Sequence, residues 1–285
     1  MADPFRLDGQ VALVTGGTRG LGRAIAELFR DRGATVVVCG RNREAGEAFS
    51  AESGIRFVRA DVTDEDDVRG LVERCAADHG GLSVLVNNAG PTDLLHTREV
   101  DGPIGQIRLA DWKRLVDQTL TSAFLVSHHA LDLMVRGGGG SIVNISSIAA
   151  AQAMPGFDAY AAGKGGMEAL TRSVACGYGH LGIRCNAIRV GTIAVDHGDA
   201  GRRRFTSPDP RPDAWRRAEP PAPGAAADVA HAALFLSAPS GAYVTGVVLP
   251  VDGGLGARSL MPWQTPRPEA PTPAGAGRSG QEGRR

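Results

Sequence analysis

Short apolar stretches punctuate this chain, separated by longer stretches with a helical period. Val11–Val14, Thr35–Cys39, Phe57–Ala60, Val84–Val86, Ser141–Ile145, Ile183–Ile188 and Val247–Val251 read as strands. They show little alternation of apolar and polar residues, as expected of strands covered on both faces. Between the first two, Leu21, Ile25, Leu28 and Phe29 recur at helical spacing over Leu21–Asp31, and Gly33 ends the segment. Strand followed by helix, repeated, predicts an α/β fold with a doubly wound parallel sheet in a single domain over residues 1–256.

Two segments break the pattern. Asp196–Gly224 is rich in Arg, Pro and Asp with little apolar periodicity, and is long for a connection, so it reads as a lid or binding loop. Its arginines, Arg202, Arg203, Arg204, Arg211, Arg216 and Arg217, suit either a solvated loop or a dock for an anionic or carrier-bound substrate. Its own aspartates dilute the second reading. Residues 257–285 are rich in Pro, Gly and Arg and read as a disordered tail, with Leu260, Met261 and Trp263 able to dock locally.

Composition then narrows the classes. Lys plus Arg number 31 and Asp plus Glu number 31 among 285 residues, so the formal charge is zero and a nucleic-acid partner is not expected. Cys39, Cys75, Cys176 and Cys185 are scattered without CxxC spacing and read as small buried residues in a reducing compartment. Met1–Gln10 carries acids and a proline instead of an apolar run, and no stretch reaches the about 18 apolar residues of a membrane span. No membrane is expected as a partner, and a cytoplasmic protein is. Adjacent His128 and His129 point to different helix faces and no carboxylate or cysteine set accompanies them, so no metal site is expected. Asp64–Asp67 is an acidic cluster where a helix should start, which the helix dipole explains.

Candidate chemistry begins after the first strand. Thr15-Gly16-Gly17-Thr18-Arg19-Gly20-Leu21-Gly22 joins that strand to the first helix in the TGxxxGxG form. Glycines there allow positive φ and close approach of a ligand to the backbone, and the helix N-terminus presents free N–H groups to phosphate. This context makes the turn a strong dinucleotide signal. In NAD binders an acid about 20 residues on bonds the ribose hydroxyls. Here that stretch reads Cys39-Gly40-Arg41-Asn42, with no acid. Arg41 and Arg19 suit a clamp on a 2′-phosphate, so NADP(H) is the expected cofactor.

Downstream, Tyr160 and Lys164 are four residues apart and share a helix face, thirteen residues after Ser147. A cation beside a phenol is expected to lower its pKa. A hydroxyl from Ser147 would hold a carbonyl oxygen against the phenol. Proton transfer at an oxygen is the implied chemistry.

Taken in order, these motifs resemble the short-chain dehydrogenase/reductase family in its compact single-domain branch, close to 3-oxoacyl-carrier-protein reductases. Asp61-Val62, Asn87-Asn88-Ala89-Gly90, Ser146-Ser147 and Val251-Asp252-Gly253-Gly254 extend the likeness over roughly Leu7–Gly256. The resemblance implies a Rossmann fold. It implies that Gly16, Gly20 and Gly22 form the pyrophosphate turn, with Thr18, Arg19, Leu21, Arg41 and Asn42 around the dinucleotide. Asp61 and Val62 would flank the adenine, and Asn88, Ala89 and Gly90 the cofactor channel. Gly191, Thr192 and Ile193 would contact the nicotinamide side. Tyr160 would be the general acid in reduction, Lys164 would hold the ribose, and Ser147 would orient the substrate carbonyl. A homodimer or homotetramer acting on a small-molecule carbonyl or alcohol, free or carrier-bound, is implied.

Three positions depart from the family pattern. Seven residues after Trp112, where an asparagine usually supports a water relay to the lysine, stands Thr119. A threonine can bond back to the carbonyl one turn earlier. Val190-Gly191 replaces Pro-Gly, and Val195 replaces a phosphate-binding threonine. A same-fold enzyme with non-redox chemistry (dehydration, epimerisation or cyclisation) and a dinucleotide-binding sensor are the alternatives. The intact trio argues against the sensor. Substrate choice is expected from the lid, Asp93–Gln106 and Met154–Asp158.

Overall fold

The computed structural model describes residues 3–91, 100–194 and 223–257. The expected lid and tail, including Val195, the six lid arginines, Leu260, Met261 and Trp263, therefore fall almost wholly outside the described residues.

Seven parallel strands form one sheet: β1 (Val11–Thr15), β2 (Thr35–Gly40), β3 (Arg56–Arg59), β4 (Val84–Asn87), β5 (Gly140–Ser147), β6 (Ile183–Val190) and β9 (Val248–Val251). A two-residue pair, β7 (Ile193–Ala194) and β8 (Gly224–Ala225), lies beside it. The order is β3-β2-β1-β4-β5-β6-β9. The chain winds outward from β1 in one direction and from β4 in the other. The C-terminal ends of β1 and β4 thus flank the switch point where such sheets bind ligands.

The α-helices bounded within the described residues are α1 (Gly20–Asp31), α2 (Arg43–Ser53), α3 (Glu65–His79), α4 (Leu109–Val116), α5 (Ser122–Arg136), α6 (Asp158–Tyr178) and α7 (Ala226–Ser237). Between α4 and α5, Asp117–Thr121 form a π-helical turn. Strand residues bury on both faces, which is why the strands read as apolar runs. Ala12 and Val14 join the core under α1 and α7, while Leu13 joins the one under α3, α5 and α6. Asn42 and Asp64 cap α2 and α3, accepting from Ala45 N (3.0 Å) and Asp67 N (2.9 Å), and the Asp64–Asp67 cluster sits at the start of α3 as expected. Cys39, Cys75 and Cys185 are buried, but Cys176 is exposed, because α6 turns its last two turns' outer face to solvent. Among the described residues no helix is long and apolar enough to cross a membrane.

Candidate active site

The glycine turn is locked to β4 by one threonine and one asparagine. Buried Thr15 donates its hydroxyl to Val86 O (3.3 Å) and accepts from the backbone N–H of Asn88 and Ala89, each at 3.0 Å. Asn88 returns the contact, donating through Nδ2 to Thr15 O (2.9 Å) and Gly16 O (3.1 Å). Asn88 is therefore a strut beneath the turn. Gly16 and Gly20 hold φ of +63° and +55°, which an L side chain rarely adopts. A Cβ on Gly22 would collide with Gly16 O and Asn88 Nδ2. No side chain caps the start of α1 and no acid lies in its first turn. Such a cradle fits a pyrophosphate, whose charge the helix end and its N–H groups favour.

At the end of β2, Arg41 is 68% exposed and stands 4.0 Å from Asp61 Oδ2. The other Asp61 oxygen accepts from the backbone and hydroxyl of Thr63, at 3.0 and 2.7 Å. Burial opposes ionisation of Asp61, but the Thr63 bonds and the Arg41 and Arg59 charges outweigh it and hold the carboxyl below its ordinary range. Val62 packs on the core beside it. Asn42 spends its side-chain oxygen on the α2 cap. Thr18 lies near Gly40, where a Cβ would come 3.8 Å from its hydroxyl.

Across the switch point, β5 ends at Ser147 and α6 brings Tyr160 and Lys164 against it. Tyr160 is 8% exposed and Lys164 5%. Lys164 Nζ donates to Ile145 O at 2.6 Å and lies 5.9 Å from the Tyr160 ring centroid. Phe157 meets the same ring edge-on at 6.3 Å. Gly90 leaves room beside the lysine, since a Cβ there would lie 3.9 Å from Nζ. Strand register sets Val190 opposite Ser147, so Gly191, Thr192 and Ile193 leave the sheet next to the serine. Gly191 N donates to Val251 O (3.0 Å), and its α-carbon packs so tightly on Asp252 that a Cβ would lie 2.6 Å from Asp252 Cα. Thr192 O accepts from Gly224 N at 3.0 Å.

The electrostatics overturn one expectation. The tyrosine pKa is not lowered. Burial pushes the phenol up, and a hydrogen bond with Ser147 only partly opposes it. Helical spacing placed the ammonium on the right face but could not show that it turns to the Ile145 carbonyl. Burial also pulls Lys164 down to about 8. At neutral pH the pair is a protonated phenol beside a mostly charged lysine.

Thr119 lies in the π turn, fully buried. Its hydroxyl donates to Leu115 O at 2.6 Å, the bond one turn back that the sequence suggested, with Val116 O at 3.4 Å. It makes no hydrogen bond to Lys164 among the described residues. Its role here is steric: a Cβ on Gly163 would overlap Thr119 Oγ1. Gly163 thus sets how closely α6 approaches the π turn. Gly163→Ala should destabilise the fold by about 1–3 kcal/mol in chemical denaturation, and adding Thr119→Ala should recover part of that loss.

Sequence reasoning gave no role to Asp101, to Gly163 or to the Thr15 that opens the glycine motif. Asp101 accepts hydrogen bonds at the start of α6, from Ala159 N and Tyr160 N. Its partners are far along the chain, and its own neighbourhood carries no pattern.

The chain is similar in sequence and fold to known proteins. Residues 16–256 match a family model described as enoyl-(acyl carrier protein) reductase. The cis-4-hydroxycyclohexanecarboxylate dehydrogenase of Sinomonas cyclohexanicum is 38% identical over 86% of this chain and 96% of its own. The 3-oxoacyl-[acyl-carrier-protein] reductase of Chlamydia muridarum is 34% identical over 86% and 97%. A solved short-chain type dehydrogenase/reductase from Mycobacterium ulcerans superposes with a TM-score of 0.79 at 34% identity, covering 89% of this chain and 92% of that one.

Proposed function

Because the chain belongs to the short-chain dehydrogenase/reductase family, we propose that it interconverts a carbonyl and a secondary alcohol on a small-molecule or acyl substrate, using NADP(H), with Tyr160 as general acid and base. The observation that carries this reading is the burial of Tyr160 and Lys164 against the Ser147 end of β5, at the switch point where β4 and the glycine turn also meet. The likeness to the dehydrogenase of Sinomonas cyclohexanicum and the reductase of Chlamydia muridarum supports the reaction class.

When bound, the dinucleotide supplies or accepts the hydride. Gly16, Gly20 and Gly22 would hold its pyrophosphate and Lys164 its nicotinamide ribose. Gly191–Ile193 would line the nicotinamide side. The chain's own work is at the oxygen. Ser147 donates a hydrogen bond that fixes the carbonyl oxygen beside the phenol. Tyr160, whose raised pKa keeps it protonated at neutral pH, passes its proton to that oxygen in reduction. The oxidative direction runs the same transfer backwards, from hydroxyl to phenolate, and gains as pH rises.

The NADP preference is supported by the exposed Arg41 at the end of β2, where an NAD binder would carry an acid. Asp61 lies on the neighbouring strand end and is held by Thr63. With Arg41→Asp, the ratio of kcat/KM for NADPH over NADH should fall by about tenfold to a hundredfold. A variant that still favours NADPH as strongly refutes the clamp. The reaction class itself is tested by a panel of ketones and 3-oxoacyl thioesters, followed through loss of NADPH absorbance. Tight dinucleotide binding with no turnover on any of them would sink it.

A further inference from the structure

Helix α6, which carries the tyrosine, starts without a cap of its own. Phe157 precedes it and offers no side-chain acceptor. The first intrahelical bond runs from Ala161 N to Phe157 O at 2.8 Å. The backbone N–H groups of Asp158, Ala159 and Tyr160 therefore have no partner inside the helix. Asp101, distant in sequence and only 8% exposed, takes two of them. Its Oδ1 accepts from Ala159 N at 3.0 Å and its Oδ2 from Tyr160 N at 2.9 Å, while Gly102 N adds a bond to Oδ1 at 2.8 Å. Asp158 answers in the other direction, accepting from Ile104 N at 2.8 Å. Two carboxylates thus clamp residues 101–104 to the first turn of α6.

We propose that Asp101 is a positioning residue for Tyr160, fixing the phenol against Ser147 and biasing its ionisation through a negative charge at the helix start. The inference rests on the reading of Tyr160 as the acid. Its physical basis is twofold. Holding the N–H of Tyr160 itself fixes the backbone from which the phenol projects. A negative charge at that end also offsets the positive end of the helix dipole, which would otherwise favour phenolate. Other charges on the packed elements are Asp158, Lys164, Arg172 and the Glu168–Arg189 pair on α6 and β6, Arg184 farther back on β6, and Asp117 in the π turn. On α4, Asp111 pairs with Arg108 and Arg114. Glu168 and Asp111 pair with arginine, whereas exposed Asp117 and half-buried Asp158 have no arginine partner among the described residues. Among the described residues Asp101 is held by backbone N–H groups and by no cation, and of the acids without an arginine partner it is the most buried.

The experiment is a tyrosinate absorbance titration, read within seconds of a pH jump, on the wild type, Asp101→Asn and Asp101→Ala. The chain has 3 tyrosines, so Tyr160→Phe supplies the background from Tyr178 and Tyr243. Asp101→Asn keeps an acceptor but removes the charge. It should lower the Tyr160 pKa by about 0.5–1 pH unit, with kcat within about threefold of wild type. Asp101→Ala should lower kcat by about tenfold to a hundredfold, with NADPH affinity unchanged. An unshifted phenol in Asp101→Asn overturns the proposal. So does an Asp101→Ala protein whose kcat loss is matched by its loss of NADPH binding and folded fraction, since that is a structural cap and nothing more. If Asp101→Ala does not fold, the Asp101→Asn titration decides alone. Failure of the proposed function appears separately, as a wild type inactive on every carbonyl while its absorbance titration stays readable.

Discussion

Tyr160→Phe removes one oxygen and should lower carbonyl turnover by at least about a thousandfold, near the upper part of the range for a positioned general acid. The dinucleotide Kd should stay within about twofold, because the ring and its packing against Phe157 remain. The split between kcat and binding is the informative part. Tyr160 is buried, and a Phe there spares the cost of burying a hydroxyl. Thermal stability should therefore be equal or slightly higher. Loss of activity cannot then be ascribed to unfolding. Stopped-flow NADPH fluorescence and steady-state rates on one substrate measure both quantities. Turnover within tenfold of wild type would remove the tyrosine from the chemistry, and the same-fold non-redox alternative would gain from product formed without net NADPH loss.

The sheet was legible because its strands are buried on both faces. Val36, Val37 and Val38 point alternately to two separate cores, yet all are apolar, so the sequence signal is composition and not alternation. The trio was legible because local spacing carries it: Tyr160 and Lys164 are one helical turn apart, and Ser147 ends a strand. What spacing could not convey was depth and direction. The lysine was expected to depress the phenol's pKa, but burial acts on both groups and the ammonium spends a hydrogen bond on Ile145 O. The backward bond of Thr119 was foreseen, but the π turn and the fit to Gly163 depend on two helices meeting. The roles of Asp101 and Thr15 were missed for the same reason. Each acts on backbone groups more than fifty residues away, and backbone partners leave no trace in side-chain pattern. The four cysteines read alike, although Cys176 occupies an outward position on α6 that the helical period alone left open.

Lys164→Met should abolish useful activity and yet make the protein more stable at neutral pH. Burial lowers the lysine from 10.5 to about 8, so keeping it charged in the folded state costs about 3 kcal/mol at pH 7. Methionine has similar length and no charge to desolvate. It leaves the Ile145 carbonyl without its 2.6 Å partner, a loss of about 1–2 kcal/mol. The net gain should be about 1–2 kcal/mol in denaturant unfolding. The sign of the pH dependence separates this from ordinary packing. Between pH 8 and 10.5 the unfolded lysine holds a proton that the folded one has released, so wild-type stability rises with pH across that window from this group. The variant lacks that rise, so the gap between the two closes as pH climbs. Reduction by the wild type should likewise weaken above about pH 8 as Lys164 discharges, while the phenol remains protonated. A Lys164→Met protein that is less stable than wild type at pH 7, with a constant gap up to pH 10, would show that the lysine is not a buried charge. Stability held in reserve against a charged lysine is what an active site built for cofactor and proton together would be expected to forgo.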